Sequence, residues 1–314
     1  MLLSLLASVR PHTALTTRVA PLMSAAPTVS VKRCDMLITE LFGDGKVDPA
    51  AVAAACSESV EWVDMGLKEP LLGAAAVEAH LAELYPSGSK LVVERVSDGA
   101  HSGGFSWHRE AEGVEGSGLR GITYVELGDD GRITYVQDGY EPLFKLGTTL
   151  ETIFKLAAKV APKVEKAPGT FARAQPKTAE GIVRYLWEVA YPGGAEPSEA
   201  LTFFDDNILY EDFNYPEAFV GLGAVREYIN LLPDIPNVLF VLERCSEGSR
   251  RCCYTWKVMV NGEEGPSGIS LKEVNDDGLI CFNRDIPAPA WPRTVGRLAA
   301  KLRPRLGVFR SRRS

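Results

Sequence analysis

The chain has 314 residues, 46% of them hydrophobic, with 34 basic and 41 acidic side chains. That length is enough for two ordinary domains, and no apolar run approaches the roughly 20 residues that span a bilayer. Charge is uneven: 1–34 and 286–314 contain no acid, so 35–285 sets 22 bases against all 41 acids, a net −19, which argues against nucleic acid as a partner.

In chain order, residues 1–34 carry only Arg10, Arg18, Lys32 and Arg33 as charges, among many Ser, Thr and Ala. This is the composition of an organelle transit peptide. It predicts delivery to a plastid (chloroplast), with a mitochondrion as second choice; the start MLLSLLASV also reads as a short signal core. An amphipathic helix is expected over 35–43, and a second short helix from the Asp48-Pro49 start signal. A strand over 60–65 carries Asp64, and a third helix follows Gly73. Four strand-like runs come next, at 90–97, 103–110, 118–127 and 132–138, the last two joined by the turn signal DDG. Residues 142–160 have helical apolar spacing with lysines beside it, and 161–177 read as a linker. The pattern then recurs: helix 178–191, a short helix from Glu196-Pro197, strand 208–213 with Asp212, a helix after Gly221, and strands 237–244, 251–260, 267–274 and 278–284. A basic tail, 289–314, ends the chain.

The recurrence is a repeat. WVDMGLKEPLLGAAAVEAHL (62–81) aligns without gaps on YEDFNYPEAFVGLGAVREYI (210–229), matching Asp64 to Asp212 and Gly73 to Gly221. Pro49 then matches Pro197, Trp107 matches Trp256 and Asp138 matches Asp285. Repeats of this kind set the domain plan: 1–34 leader, 35–142 first domain, 143–177 amphipathic helix and linker, 178–288 second domain, 289–314 basic helix and tail. Three helices followed by a mostly antiparallel sheet make each domain α+β.

A carboxylate on an apolar strand suits a general base, because desolvation raises its pKa toward working pH. It equally suits a strand-end residue that caps a turn or pairs with an arginine. Trp107 and His108 must point to opposite faces of one strand. Lys257 stands where His108 does, which favours a solvated His108 and inward Trp107 and Trp256. Cys252 and Cys253 face opposite sides by the same rule, and the six cysteines form neither a zinc pattern nor a disulfide framework. No spacing for a metal or cofactor site is present. Arg284-Asp285 reads as a local ion pair or sheet-edge feature. The basic segments 142–160 and 289–314 are candidates for peripheral contact with an anionic membrane.

The stretch FFDDNILYEDFNYPEAFVGLGAVREYI (203–229) and its first-repeat counterpart resemble the SnoaL-like, nuclear transport factor 2-like superfamily, which includes ketosteroid isomerases. The arrangement is also similar to plastid SnoaL-like proteins of plants and algae. The resemblance implies two tandem cone-shaped domains, each with three helices packed in a curved sheet around a cavity. It implies Asp212, and by repeat Asp64, at the position of the isomerase's general base. It places Tyr185 where the family's oxyanion donor stands, with Leu37 in that place in the first repeat, and Ser270 and Thr123 near the second donor. The implied ligand is a small apolar metabolite, with Asp64, Trp107, Trp256, Ser270 and Thr123 as binding residues and no cofactor. The two repeats are expected to close on each other as an intramolecular pseudo-dimer. Two function classes remain open: a cofactor-independent isomerase, cyclase or dehydratase, and a non-catalytic ligand- or protein-binding scaffold at an organelle membrane. Transport through a small GTPase is a poor third.

Overall fold

The computed structural model describes residues 32–86, 89–111, 118–142, 145, 147, 170–231, 238–260 and 263–288. Residues 1–31 of the expected leader, most of the amphipathic helix and linker, and the basic tail lie outside them; Cys34, the last residue assigned to that leader, is instead the buried first residue of α1. The first repeat opens with α1 (Cys34–Phe42) and α2 (Pro49–Ala55). Asp48 caps α2 by accepting from the amides of Ala50 and Ala51, and Pro49 occupies the first turn, where no amide is needed. Strand β1 (Cys56–Asp64) follows, then a two-residue strand β2 (Leu71–Leu72) and α3 (Ala74–Leu84). Four strands complete the repeat: β3 (Ser89–Val96), β4 (Ser102–Ala111), β5 (Arg120–Leu127) and β6 (Ile133–Tyr140).

The second repeat copies this order. Helix α4 (Ala179–Arg184) continues into a π-helical segment, Tyr185–Ala190, and Pro197–Phe203 is a 3-10 helix rather than an α-helix. Then come β7 (Phe204–Asp212), β8 (Phe219–Val220), α5 (Gly221–Leu231), β9 (Val238–Cys245), β10 (Arg251–Val260), β11 (Glu263–Val274) and β12 (Ile280–Pro287). Gly73 and Gly221 both sit at φ of 83–84° at the start of the third helix. A side chain is strained in that conformation, which accounts for a glycine in both copies.

Each repeat folds a six-stranded sheet, ordered β2-β1-β6-β5-β4-β3 and β8-β7-β12-β11-β10-β9. β1 pairs with β6, and β7 with β12, in parallel; the other pairs are antiparallel. The fold class is therefore α+β in two tandem cone-like units. β1 starts four residues before the expected strand; its first part lies beyond an irregularity in the β1–β6 register. On β1 the buried residues Cys56, Val60, Trp62 and Asp64 face inward, and on β7 their counterparts are Phe204, Ile208, Tyr210 and Asp212. Each inner face closes a separate core with its own helices.

The outer faces of the two sheets close on each other. Met65, Ile122, Tyr124 and Tyr135 of the first repeat form one cluster with Phe213, Cys253, Ile269, Leu271, Phe282 and Ile286 of the second. The pleat separates neighbours: Cys252 belongs to the inner core and Cys253 to this seam. Contacts across the seam are reciprocal. Arg95 pairs with Glu273 at 3.1 Å and lies 3.6 Å over the Phe282 ring. Its counterpart Arg244 pairs with Glu126 at 2.6 Å and lies 3.6 Å over the Tyr135 ring. Asp98 accepts from the amides of Ser249 and Arg251, both at 2.9 Å. Glu247 accepts in return from those of Ala100 (2.8 Å) and His101 (3.0 Å).

Gly104 marks how closely the sheets approach. A Cβ there would lie 2.4 Å from Cys253 Cβ and 2.8 Å from the carbonyl of Thr123. Gly104→Ala is expected to destabilise the chain by about 1–3 kcal/mol through overpacking. Urea unfolding checks this; an unchanged midpoint would mean that the sheets separate at no cost.

Candidate functional site

In each repeat two aspartates stand side by side on adjacent parallel strands. Asp64 lies opposite Asp138 and Asp212 opposite Asp285. The strand period turns all four toward the inner face, among apolar residues. A matched set of donors surrounds them. In the first cone, Trp62 Nε1 donates to Asp138 Oδ2 at 2.7 Å. Thr123 Oγ1 donates to Asp138 Oδ1 and accepts from Trp107 Nε1 at 3.0 Å. In the second cone, Tyr210 OH donates to Asp285 Oδ2 and Ser270 Oγ to Asp285 Oδ1, both at 2.5 Å. Ser270 accepts from Trp256 Nε1 at 2.8 Å. Thr123, Trp107, Ser270 and Trp256 thus converge on the strand-end aspartates Asp138 and Asp285.

The other aspartate of each pair meets the third helix. Asp64 Oδ1 accepts from the amide of Gly66 at 2.7 Å, and its Oδ2 lies 3.1 Å from His80 Nε2 on α3. Asp212 Oδ1 accepts from the amide of Asn214 at 2.8 Å, and its Oδ2 accepts from Tyr228 OH on α5 at 2.6 Å. Tyr228 occupies the place of His80. Burial pushes the Asp212 carboxyl up to about 6; the nearby Asp285 adds to this and the Tyr228 hydrogen bond opposes it. Burial likewise pushes Asp138 up to about 6, opposed by Thr123 and aided by Asp64.

Tyr185 is not the phenol beside Asp212. It begins the π-helical segment, and its hydroxyl donates to Glu199 Oε1 at 3.0 Å. The phenol hydrogen-bonded to Asp212 is that of Tyr228. Arg284 and Asp285 also separate: Arg284 turns to the seam, where it meets Glu211 at 2.6 Å and Glu94 at 2.7 Å, and Asp285 turns into the cone. They are strand neighbours on opposite faces rather than a local ion pair. His108 points out toward Glu94 and Glu110 while Trp107 is buried, as the strand period and Lys257 suggested. Asp138, Asp285, His80 and Tyr228 were not read as site residues from the sequence. The signal available was the recurrence of Asp138 as Asp285.

The two interiors differ in what fills them. The first holds a cavity of about 20 Å3, bordered by Asp64, Asp138, Trp107, Tyr85, Arg109 and Tyr140, which is room for a water molecule and too little for a metabolite. Arg109 donates to the Leu84 carbonyl and lies 4.8 Å over the Tyr85 ring. The second interior is lined by aromatic rings. Trp187 sits 5.7 Å from Phe240 and from Tyr254 and 6.1 Å from Trp256, and Phe219 stacks on Tyr228 at 4.5 Å. Among the described residues no group of three or more His, Cys, Asp or Glu is placed to hold a metal ion, and no helix is long and apolar enough to cross a membrane.

No family model and no curated protein matches the chain. Solved structures of SnoaL-like and nuclear transport factor 2-like proteins are similar to it, each over a part about the size of one repeat. A protein with a cystatin-like fold from Silicibacter pomeroyi is 16% identical, with 40% of this chain and 86% of that one covered and a TM-score of 0.30. A member of the SnoaL-like family from Agrobacterium tumefaciens is 25% identical, with 32% and 89% covered and a TM-score of 0.26. RV0760c from Mycobacterium tuberculosis, solved with estradiol-17beta-hemisuccinate, is 17% identical, with 37% and 95% covered and a TM-score of 0.28.

Proposed function

We propose that this chain binds a small apolar metabolite and moves a proton to or from carbon in its second cone. That is the chemistry of a cofactor-independent isomerase, cyclase or dehydratase. The observation that supports it is Asp212, a carboxylate only 7% exposed, beside a second aspartate, with its pKa pushed up to about 6. A base poised near neutrality can both take a proton and give it back. Tyr228, hydrogen-bonded to Asp212, holds the carboxylate in one orientation. In this reading the repeats act as an intramolecular pseudo-dimer, and the first cone is the partner that completes the seam.

The test is hydrogen exchange at carbon. Full-length protein is incubated in D2O with a panel of apolar compounds bearing an acidic C–H beside a carbonyl, followed by proton NMR. The wild type is expected to exchange one position of a panel member, and Asp212→Asn to lose that exchange. No exchange above buffer across the panel, or equal exchange by both proteins, sinks the reading.

The aromatic lining of the second cone and the small volume of the first favour the alternative, a non-catalytic binding or scaffold protein. Peripheral membrane contact through the basic segments 142–160 and 289–314 belongs to that alternative. Ligand binding with no exchange would select it.

A further inference from the structure

The second cone contains a buried amine that the first lacks. Lys272 on β11 is 6% exposed. Its Nζ donates to Asn283 Oδ1 on β12 at 2.5 Å and lies 5.7 Å from the Tyr254 ring and 5.9 Å from the Phe204 ring. Among the described residues no carboxylate is within ion-pair distance of it. Asn283 is fully buried, and its Nδ2 has no hydrogen-bond partner there. Lys272 pairs with Cys252 on one side and Asn283 on the other, two residues along the strands from Ser270 and Asp285. All four side chains share the inner face.

The internal repeat supplies a control. The positions matching Lys272 and Asn283 are Val125 and Val136, both buried in the first core. Two valines therefore complete this fold. An amine and an amide in their place bring the cost of burying a cation and an unpaired N–H, which points to chemistry rather than packing. A lysine desolvated among apolar groups is an activated nucleophile toward carbonyl carbon. The ligand best suited to the site is a neutral carbonyl compound, because the inward carboxylates Asp285 and Asp212 disfavour an anion.

Resting on the ligand-binding reading above, we propose that Lys272 forms an imine with an apolar aldehyde or ketone admitted to the second cone. The Nζ lone pair attacks the carbonyl carbon, and the C=O π electrons move to oxygen, which takes a proton. Nitrogen loses a proton to give the neutral carbinolamine. An aspartic acid of the pair protonates its hydroxyl, the nitrogen lone pair expels water to form the C=N bond, and the resulting iminium returns its N–H proton to that aspartate. The balance is amine plus carbonyl to imine plus water. Asn283 Nδ2 is the donor for the carbinolamine oxygen. Burial lowers the Lys272 pKa, opposed by Asp285 and by the Cys252 thiol; the titratable Tyr254 ring also faces it at 5.7 Å. Its free base is thus available at a lower pH than that of an exposed lysine.

Full-length protein is treated at pH 7 with octanal and sodium cyanoborohydride, followed by intact mass and peptide mapping. Binding of octanal and of octanol, which cannot form an imine, is read separately by tryptophan fluorescence. The comparison protein is the double variant Lys272→Val, Asn283→Val, which copies the first repeat and is expected to fold. The expected result is binding of both compounds and one reduced octyl group on Lys272, lost in the variant. Binding with label spread over exposed lysines, unchanged in the variant, overturns the imine and leaves the ligand reading standing. Failure of both compounds to bind overturns both.

Discussion

Arg284→Met is expected to lower the free energy of unfolding by about 3–5 kcal/mol, the cost of breaking a buried ion pair from one side. Arg284 is 3% exposed and joins the two repeats. Its Nε donates to Glu211 at 2.6 Å and its Nη1 to Glu94 of the other repeat at 2.7 Å. The guanidinium also lies 5.3 Å from the Phe213 ring and 5.6 Å from that of Phe282, inside the seam. Methionine fills the volume and removes the charge. Glu211 keeps Arg120 at 2.8 Å, whereas Glu94 loses its buried guanidinium and keeps the His108 ring at 3.0 Å. Urea unfolding with Glu94→Gln as a second arm checks the cause, since the double variant should recover part of the loss. A loss below about 1 kcal/mol, the range of exposed pairs, would mean that the seam opens to water.

Asp212→Asn is expected to change the pH dependence of stability as well as abolish the proposed proton transfer. The carboxyl is raised to about 6 in the folded chain from an ordinary value of 3.8. Between those values the folded state holds a proton that the unfolded state has released. The stability this supplies is fully present below pH ~4 and is lost as pH rises through ~6. A two-unit shift corresponds to about 3 kcal/mol. Asparagine cannot ionise, so the variant should lack this fall and be more stable than wild type at pH 7 by up to that amount. Asp138 contributes a slope of the same sign in the same window, so Asp138→Asn should flatten the profile further. Unfolding free energies measured from pH 4 to 7 decide it. An unchanged slope in Asp212→Asn would identify a solvated carboxylate and end its assignment as the base.

Much of this was legible in the order of residues alone. Alignment of Asp64 on Asp212 showed the internal repeat, and alternation along β4 and β10 put Trp107 and His108, and likewise Cys252 and Cys253, on opposite faces. These follow from a two-residue strand period and from an internal repeat, both readable without knowing what packs against what. Four features were decided by the tertiary structure. Asp285 stands beside Asp212 because β7 and β12 pair in parallel, and no hairpin announces a parallel pairing between strands so far apart in the chain. Tyr228 rather than Tyr185 reaches Asp212 because the packing of α5 against β7 sets which phenol arrives, while Tyr185 is drawn to Glu199. Lys272 is buried by a sheet that closes over it, although its own segment reads as an ordinary charged strand. The reciprocal Arg95–Glu273 and Arg244–Glu126 pairs exist only because two sheets meet face to face. Local pattern determines which way a side chain points from its strand; only the closing of strands, helices and sheets on one another determines what it meets there.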